Sequence, residues 1–476
     1  MLFNSIGYAL FLPIVFLLYW HLAAKSLKAQ NLLLLLAGYF FYGCWDTRFL
    51  LLLLFSTGLG YFTGLKIGLA ARPSARKAWL LASVCINLGL LGFFKYYNFF
   101  VENFVALLRH AGYVGSARTL HIILPVGISF YTFHGLSYVF DIYRGKIKPT
   151  TSFINYAVFM GFFPLLIAGP IERAAHLLPQ VEKPRRFDRG MTSDGLRQIL
   201  WGLMKKMVIA EGCAIYVNTA FEPGWHHSGS TLLAGIVLFA FQIYGDFSGY
   251  SDIAIGTGKL LGFDLLRNFN FPFFSANMTE FWRRWHISLS GWFRDYLFTP
   301  LAIRLRNWGK GSVLFALFVT FTICGLWHGA NWTCIIFGVL HGLALMVEFL
   351  TQKGRKKIAR HIPHPVYKGL GILFTFSYTC LAFVFFRAEN TAQALGYISH
   401  LFSRSLFSSP LPISYRLLLV IVLCVTLEWT EREYEYPIAG LALRWPRLAR
   451  WGFYYALIAT IFLIGPKPQS FIYFQF

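Results

Sequence analysis

The chain has 476 residues, 57% of them hydrophobic and only 13% charged, about half the charged share of an ordinary soluble domain. Polar surface is too scarce to clothe a soluble protein of this length, so lipid must cover much of it. The formal charge of +23 comes from 43 Lys and Arg against 20 Asp and Glu. These basic residues sit in short clusters between apolar runs, which argues against nucleic acid as a partner and for cytoplasmic loops, or an entrance for an anionic substrate.

The N-terminal Met1-Leu2-Phe3-Asn4-Ser5 lacks the basic start and the small-residue cleavage site of a secretory signal, so the first apolar run is expected to stay as a helix. Runs of spanning character fall at 6–24, 31–45, 49–67, 78–99, 120–140, 153–169, 195–220, 231–256, 312–328, 332–350, 367–386, 413–429 and 451–466. Several, notably 31–45, 120–140 and 153–169, are short or interrupted. About 10–12 true spans are therefore expected, with re-entrant or interfacial helices making up the rest. The fold class is all-α: a polytopic membrane protein, with residues 1–476 forming one integral-membrane domain. Lys25 and Lys28 follow the first run, and Lys66, Arg72, Arg76 and Lys77 follow the third. Both loops belong in the cytoplasm by their charge, which puts the N-terminus outside. Pro125-Val126-Gly127, Pro164, Gly169-Pro170 and Phe271-Pro272 break the apolar stretches. Such breaks are tolerated at membrane depth only where backbone is buried in protein or lines a cavity. The seven cysteines are dispersed and form no C-x-x-C pair, so neither a disulfide framework nor a metal site is expected.

Three segments carry residues suited to chemistry. In QIYGDFSGYSDIAIG (242–256), Asp246 and Asp252 stand in apolar surroundings, either as a self-satisfied polar knot joining helices or as groups that orient a catalytic histidine. In FWRRWHISLSGWFRDYLFTP (281–300), arginines alternate with aromatics, as in an interfacial helix. Arg283 and Arg284 also suit the binding of a donor's phosphates, because a guanidinium donates two parallel hydrogen bonds, and His286 would then point inward. In FTICGLWHGANW (321–332), His328 lies in an apolar run with Gly325 and Gly329 leaving room beside it. An ionisable residue inside a membrane segment marks a functional site by default, and a neutral imidazole can take a hydroxyl's proton near physiological pH. A helix beginning at Ser312 would place His328 roughly 24 Å along its axis, nearer one face than the middle. GFFPLLIAGPIER (161–173), His134 and His341 read better as structural features. A serine-hydrolase elbow and a zincin motif are both missing.

Together these stretches resemble the membrane-bound O-acyltransferase superfamily, and within it the bacterial alginate O-acetyltransferase branch. The resemblance rests on QIYGDFSGYSDIAIG, WRRWHISLSGWFRDYLFTPL (282–301), LWHGANW (326–332), FFRAEN (385–390), GPIERA (169–174), GISFYTF (127–133) and the terminal FIYFQF (471–476). It implies a ring of tilted helices with a funnel from each face. It also implies His328 as the family's invariant histidine and His286 as its second recurrent one, both catalytic. The implied reaction takes acetyl groups from cytoplasmic acetyl-CoA, as donor substrate rather than bound cofactor, and delivers them across a bacterial inner membrane. There a periplasmic or membrane-tethered acetyltransferase of the SGNH type would place them on a polysaccharide such as alginate, cellulose or peptidoglycan. On this expectation His328 is general base or carries the acetyl group covalently, while His286, Asn331, Asp246 and Asp252 orient groups or stabilise the oxyanion. Export of D-alanine for teichoic acid is the nearest alternative. A transporter or a scaffold of a polysaccharide export complex would share the broken helices without needing a single histidine.

Overall fold

A computed structural model describes residues 1–23, 25–113, 119–222 and 227–466. The FIYFQF stretch (471–476) lies outside the described residues. Among the described residues the secondary structure is helical, without strands. Seven helices are long and apolar enough to cross a membrane: Thr47–Leu69, Pro73–His110, Gly229–Leu260, Lys310–His328, Trp332–Ala359, His364–Arg387 and Arg447–Ile464. Large apolar side chains on these helices face outward; Leu51, Phe374 and Phe462 are 70%, 71% and 80% exposed. Only lipid can cover such surface at this density. The chain is a multi-pass membrane protein.

Residues of the seven spans do not account for every apolar run read from the sequence. The run at 6–24 is a shorter apolar helix, Ile6–Leu22. The run at 120–140 becomes helical only at Ile128, because Gly127 takes a positive φ of 74° and a side chain there would overlap the Leu166 carbonyl. The run at 153–169 gives nine residues of helix, then a 3-10 turn at Phe163–Leu165, as Pro164 predicts. These shorter pieces match the short and interrupted runs expected beside the long spans.

The described residues divide into two compact units. The first comprises Met1–Gly195 with Ala254–Leu266. Its helices are α1 (Ile6–Leu17), α2 (Leu27–Gly43), α3 (Thr47–Leu69), α4 (Pro73–Leu91), α5 (Tyr97–His110), α6 (Ile128–Tyr143), α7 (Phe153–Gly161) and α8 (Ala174–Val181). Local chemistry sets their ends: Ser5, Asp46 and Ser152 cap α1, α3 and α7 by accepting from backbone amides, and Pro73 opens α4. The GPIERA segment of this unit is a buried pin. Glu172 is fully buried; its Oε1 accepts from the Leu266 amide and its Oε2 lies 2.9 Å from His176 Nδ1. Its own amide donates to His134 Nε2 at 3.0 Å. His134 therefore serves the packing of the unit, as its sequence context suggested.

The second unit comprises Leu196–Ile253 with Arg267–Phe476. It takes most of α9 (Arg189–Met204) and of α11 (Gly229–Leu260), and all of α10 (Glu211–Ala220), α12 (Met278–Arg284), α13 (Ile287–Phe293), α14 (Thr299–Arg304), α15 (Lys310–His328) and α16 (Trp332–Ala359). It continues with α17 (His364–Arg387), α18 (Thr391–Leu401), α19 (Tyr415–Thr430), α20 (Pro437–Arg444) and α21 (Arg447–Ile464). Two close helix crossings shape it. Gly245 and Gly249 form a G-x-x-x-G face on α11, where a Cβ on Gly249 would sit 2.7 Å from the Gly202 carbonyl of α9. On α16, a Cβ on Gly338 would sit 2.8 Å from Gly325 Cα of α15.

Candidate active site

Both histidines singled out in the sequence lie in the second unit, and the structure brings them together. His328 is the last residue of α15, at the far end of a 19-residue helix, and is 3% exposed. Gly329 then turns to extended backbone, and Asn331 caps α16. The Asn331 amide is used at both ends: Oδ1 accepts from Thr333 N at 3.1 Å and Nδ2 donates to the Glu389 carbonyl at 2.7 Å. LWHGANW and FFRAEN are thus joined, and Phe386 packs on His328 with ring centroids 5.4 Å apart. Asn331 holds the turn that carries His328.

His286 arrives from a different element. It sits between the short helices α12 and α13 with φ +44°, a left-handed conformation uncommon outside glycine, and is fully buried. A second such residue, Phe271 at φ +48°, lies in the preceding segment. Two backbone bonds staple the segments together: Asn270 N donates to Arg284 O and Ile287 N to Asn268 O, each at 2.8 Å. Strain of this kind persists only where the surroundings over-determine it, and it clusters at functional sites. The rings of His286 and His328 are 6.4 Å apart between centroids. At that separation the rings are too far apart for a direct hydrogen bond of about 3 Å. Phe247 packs edge-on against His286 at 4.5 Å, and Trp327 lies 6.0 Å away. Burial first, and the neighbouring His328 second, hold the His286 imidazole well below its ordinary pKa. That direction favours the neutral ring, the form in which an imidazole accepts a proton.

The two aspartates read from α11 are both ion-paired. Asp246 lies 2.6 Å from Lys206 Nζ, which also lies 2.9 Å from Glu211. Asp252 lies 2.6 Å from Lys205 Nζ and accepts from Gln198 at 3.0 Å. The lysines are consecutive, on a π-helical turn, Lys205–Ala210, that interrupts the run from α9 to α10. Glu428 of α19 joins the same buried region by accepting from Tyr244 Oη at 2.8 Å, beside a cavity of about 200 Å³ lined chiefly by apolar side chains. The aspartates hold helices together through these ion pairs. Arg283 is exposed, whereas Arg284 pairs with Glu280 at 2.8 Å. His341 is buried and accepts from Trp282 Nε1 at 3.3 Å. No cluster of metal ligands occurs among the described residues.

Sequence reasoning missed the lysines and Asn268. Lys205-Lys206 inside an apolar run was a signal that could have been read, since intramembrane cations come with partners. Asn268, fully buried beside His286, gave no such signal.

These features define an all-α, multi-pass membrane protein with two buried histidines, one on the turn between two short helices and one at a helix end. Residues 146–388, which include both histidines, match the membrane-bound O-acyltransferase family, and the chain belongs to that family. It is an O-acyltransferase. Among its relatives is a protein of Pseudomonas aeruginosa named as a probable alginate O-acetylase, 40% identical over 396 residues, which are 83% of this chain and 73% of the relative. A peptidoglycan O-acetyltransferase of Helicobacter pylori is 37% identical over 414 residues, 81% of this chain and 76% of the relative. A teichoic acid D-alanyltransferase of Bacillus subtilis is more distant, 28% identical over 277 residues, 56% of this chain and 70% of the relative.

Proposed function

We propose that this chain takes acetyl groups from cytoplasmic acetyl-CoA and passes them across the bacterial inner membrane for O-acetylation of an exported or cell-wall polysaccharide. The relatives named for alginate and for peptidoglycan support an acetyl group and a glycan acceptor over D-alanyl export, because they cover more of the chain at higher identity. A periplasmic or membrane-tethered acetyltransferase of the SGNH type is the partner that completes delivery. The single observation behind the mechanism is the buried His286–His328 pair, whose ring centroids lie 6.4 Å apart.

In the proposed reaction His328 is the centre of the chemistry, and a proton passes through the histidine pair. The acceptor hydroxyl loses its proton to an imidazole as its oxygen attacks the thioester carbonyl carbon. The carbon–sulfur bond then breaks, and the proton goes to the departing thiolate. Arg283, exposed on α12, is available to donor phosphates, with Arg284 beside it fixed by Glu280. Asn331 keeps His328 in place, and Asp246 and Asp252 act further out by fixing α11.

The test is acetylation of envelope polysaccharides in cells lacking the protein, complemented with wild type or His328→Ala at equal membrane levels. Restoration by wild type alone supports the reading and identifies the glycan. Full restoration by His328→Ala would refute catalysis at this site and favour a transporter or scaffold. Alanyl esters in place of acetyl esters would favour the D-alanyl alternative.

A further inference from the structure

The cavity of about 200 Å³ in the second unit has a polar end and apolar walls. Lys205, Tyr244 and Glu428 make the polar end. Tyr244 Oη donates to Glu428 at 2.8 Å. Lys205 Nζ, held by Asp252 at 2.6 Å, lies 5.5 Å from the centroid of the Tyr244 ring. Tyr244 and Glu428 are each only 6% exposed, so neither stands on the outer surface. The walls include Phe241 of α11, Phe273, Phe376 of α17 and Val425 of α19. Phe273 packs on Phe241 and Phe376, with ring centroids 5.6 and 5.2 Å apart. These four wall residues are half-buried, so the cavity is open on that side. On the same two helices Leu373, Phe374 and Val422 are exposed, and lipid covers them. The opening between α17 and α19 therefore meets acyl chains.

We propose that this cavity binds one aliphatic chain of a bilayer phospholipid, which enters between α17 and α19 and ends against Tyr244 and Glu428. Size and chemistry both point to that occupant. An apolar cavity of about 150 Å³ takes a guest the size of benzene, so one of about 200 Å³ holds a segment of a single chain and not a fused ring system. Water is a poor occupant, because it needs about two to four polar partners, and Tyr244 and Lys205 are already engaged. A chain, by contrast, gains contact with the phenyl rings and keeps water from the Lys205–Asp252 pair. Its seat also backs onto the histidine turn. Tyr244 and Phe273 pack on Trp285, the residue before His286, with ring centroids 6.4 and 6.2 Å apart. The lipid is a resident and not a reactant, so the site stands apart from the acyl-transfer reading.

The experiment uses the full chain in nanodiscs of phosphatidylethanolamine that carries a diazirine near the methyl end of one acyl chain. After irradiation, mass spectrometry of peptides maps the label. Lipid around the protein labels Leu373, Phe374 and Val422, which face outward. A chain in the cavity also labels Tyr244 or Glu428, which lipid on the outer surface does not touch. Val425→Trp fills the mouth and lowers that inner label about tenfold or more, as expected when about two methylenes lose their burial. The outer label is unchanged in this variant. Phe376→Ala widens the mouth and keeps both labels. Label confined to outward-facing side chains, in wild type and Phe376→Ala alike, would overturn the proposal. Inner label that a folded Val425→Trp protein retains in full would overturn it too. Should Val425→Trp fail to fold, the maps of wild type and Phe376→Ala decide the matter.

Discussion

Lys206→Met removes the ammonium that lies 2.6 Å from Asp246 and 2.9 Å from Glu211. Lys206 and both carboxylates are at most 4% exposed, so water cannot take over the lost interaction. Deleting one member of a buried pair costs about 3–5 kcal/mol, because the uncompensated charge must be neutralised by protonation. Asp246→Asn is milder, about 1–2 kcal/mol, since Lys206 keeps Glu211 and gains an amide oxygen. Charge removed from both sides leaves fewer stranded groups, so the double variant should be less destabilised than the sum of the singles, by about 1–3 kcal/mol. Unfolding in detergent micelles by heat or SDS, followed by tryptophan fluorescence, measures all four proteins. Equal destabilisation by Asp246→Asn and Lys206→Met, or simple additivity, would refute the buried-pair reasoning.

Arg283→Ala should raise KM for acetyl-CoA several-fold with little change in kcat, whereas Arg284→Ala should mainly lower stability through loss of Glu280; initial rates at varied donor concentration separate the two. Asn331→Ala should lose the α16 cap and the tie to Glu389, about 1–2 kcal/mol, while Asn331→Asp, which keeps the cap and lacks the donor, should lose less in a thermal melt. His176 offers a pH test. Its hydrogen bond to Glu172 is the main cause that raises its pKa, against partial desolvation. A raised folded-state pKa stabilises fully below the unfolded value of about 6.5, and the gain fades as pH rises through the folded value. The melting-temperature gap between wild type and His176→Gln should therefore shrink from pH about 6 to about 8; a constant gap would count against the ion pair.

Chemistry that depends on residue type within an apolar run is legible in the sequence itself. His328 and His286 stand out because charge-capable groups are costly in lipid, and the structure brings their rings together. Asp246 and Asp252 stand out for the same reason, although their role proves to be pairing with lysines. Span lengths are less legible, since hydropathy marks where lipid is tolerated and not where a helix begins. Gly127 and Pro164 cut helices short within runs that read as continuous. Asn268 is invisible in the sequence because its importance is one of contact: it lies 18 positions before His286 and meets it through the fold of the segment between them.

The consecutive lysines have a consequence for how the protein is made. Lys205 and Lys206 each oppose membrane entry by about 2.5–3.5 kcal/mol on insertion scales, so the stretch 196–220 is a poor entrant by itself. Of the acids that pair with them, Glu211 lies in the same stretch, whereas Asp246 and Asp252 are synthesised later, on α11. Full pairing of both lysines therefore waits until α11 has been made. The aspartates stand six positions apart while the lysines are adjacent, so only one vertical alignment satisfies both pairs. The ion pairs thus fix the register of α11 against the lysine turn, because any other alignment would leave a buried charge unpaired.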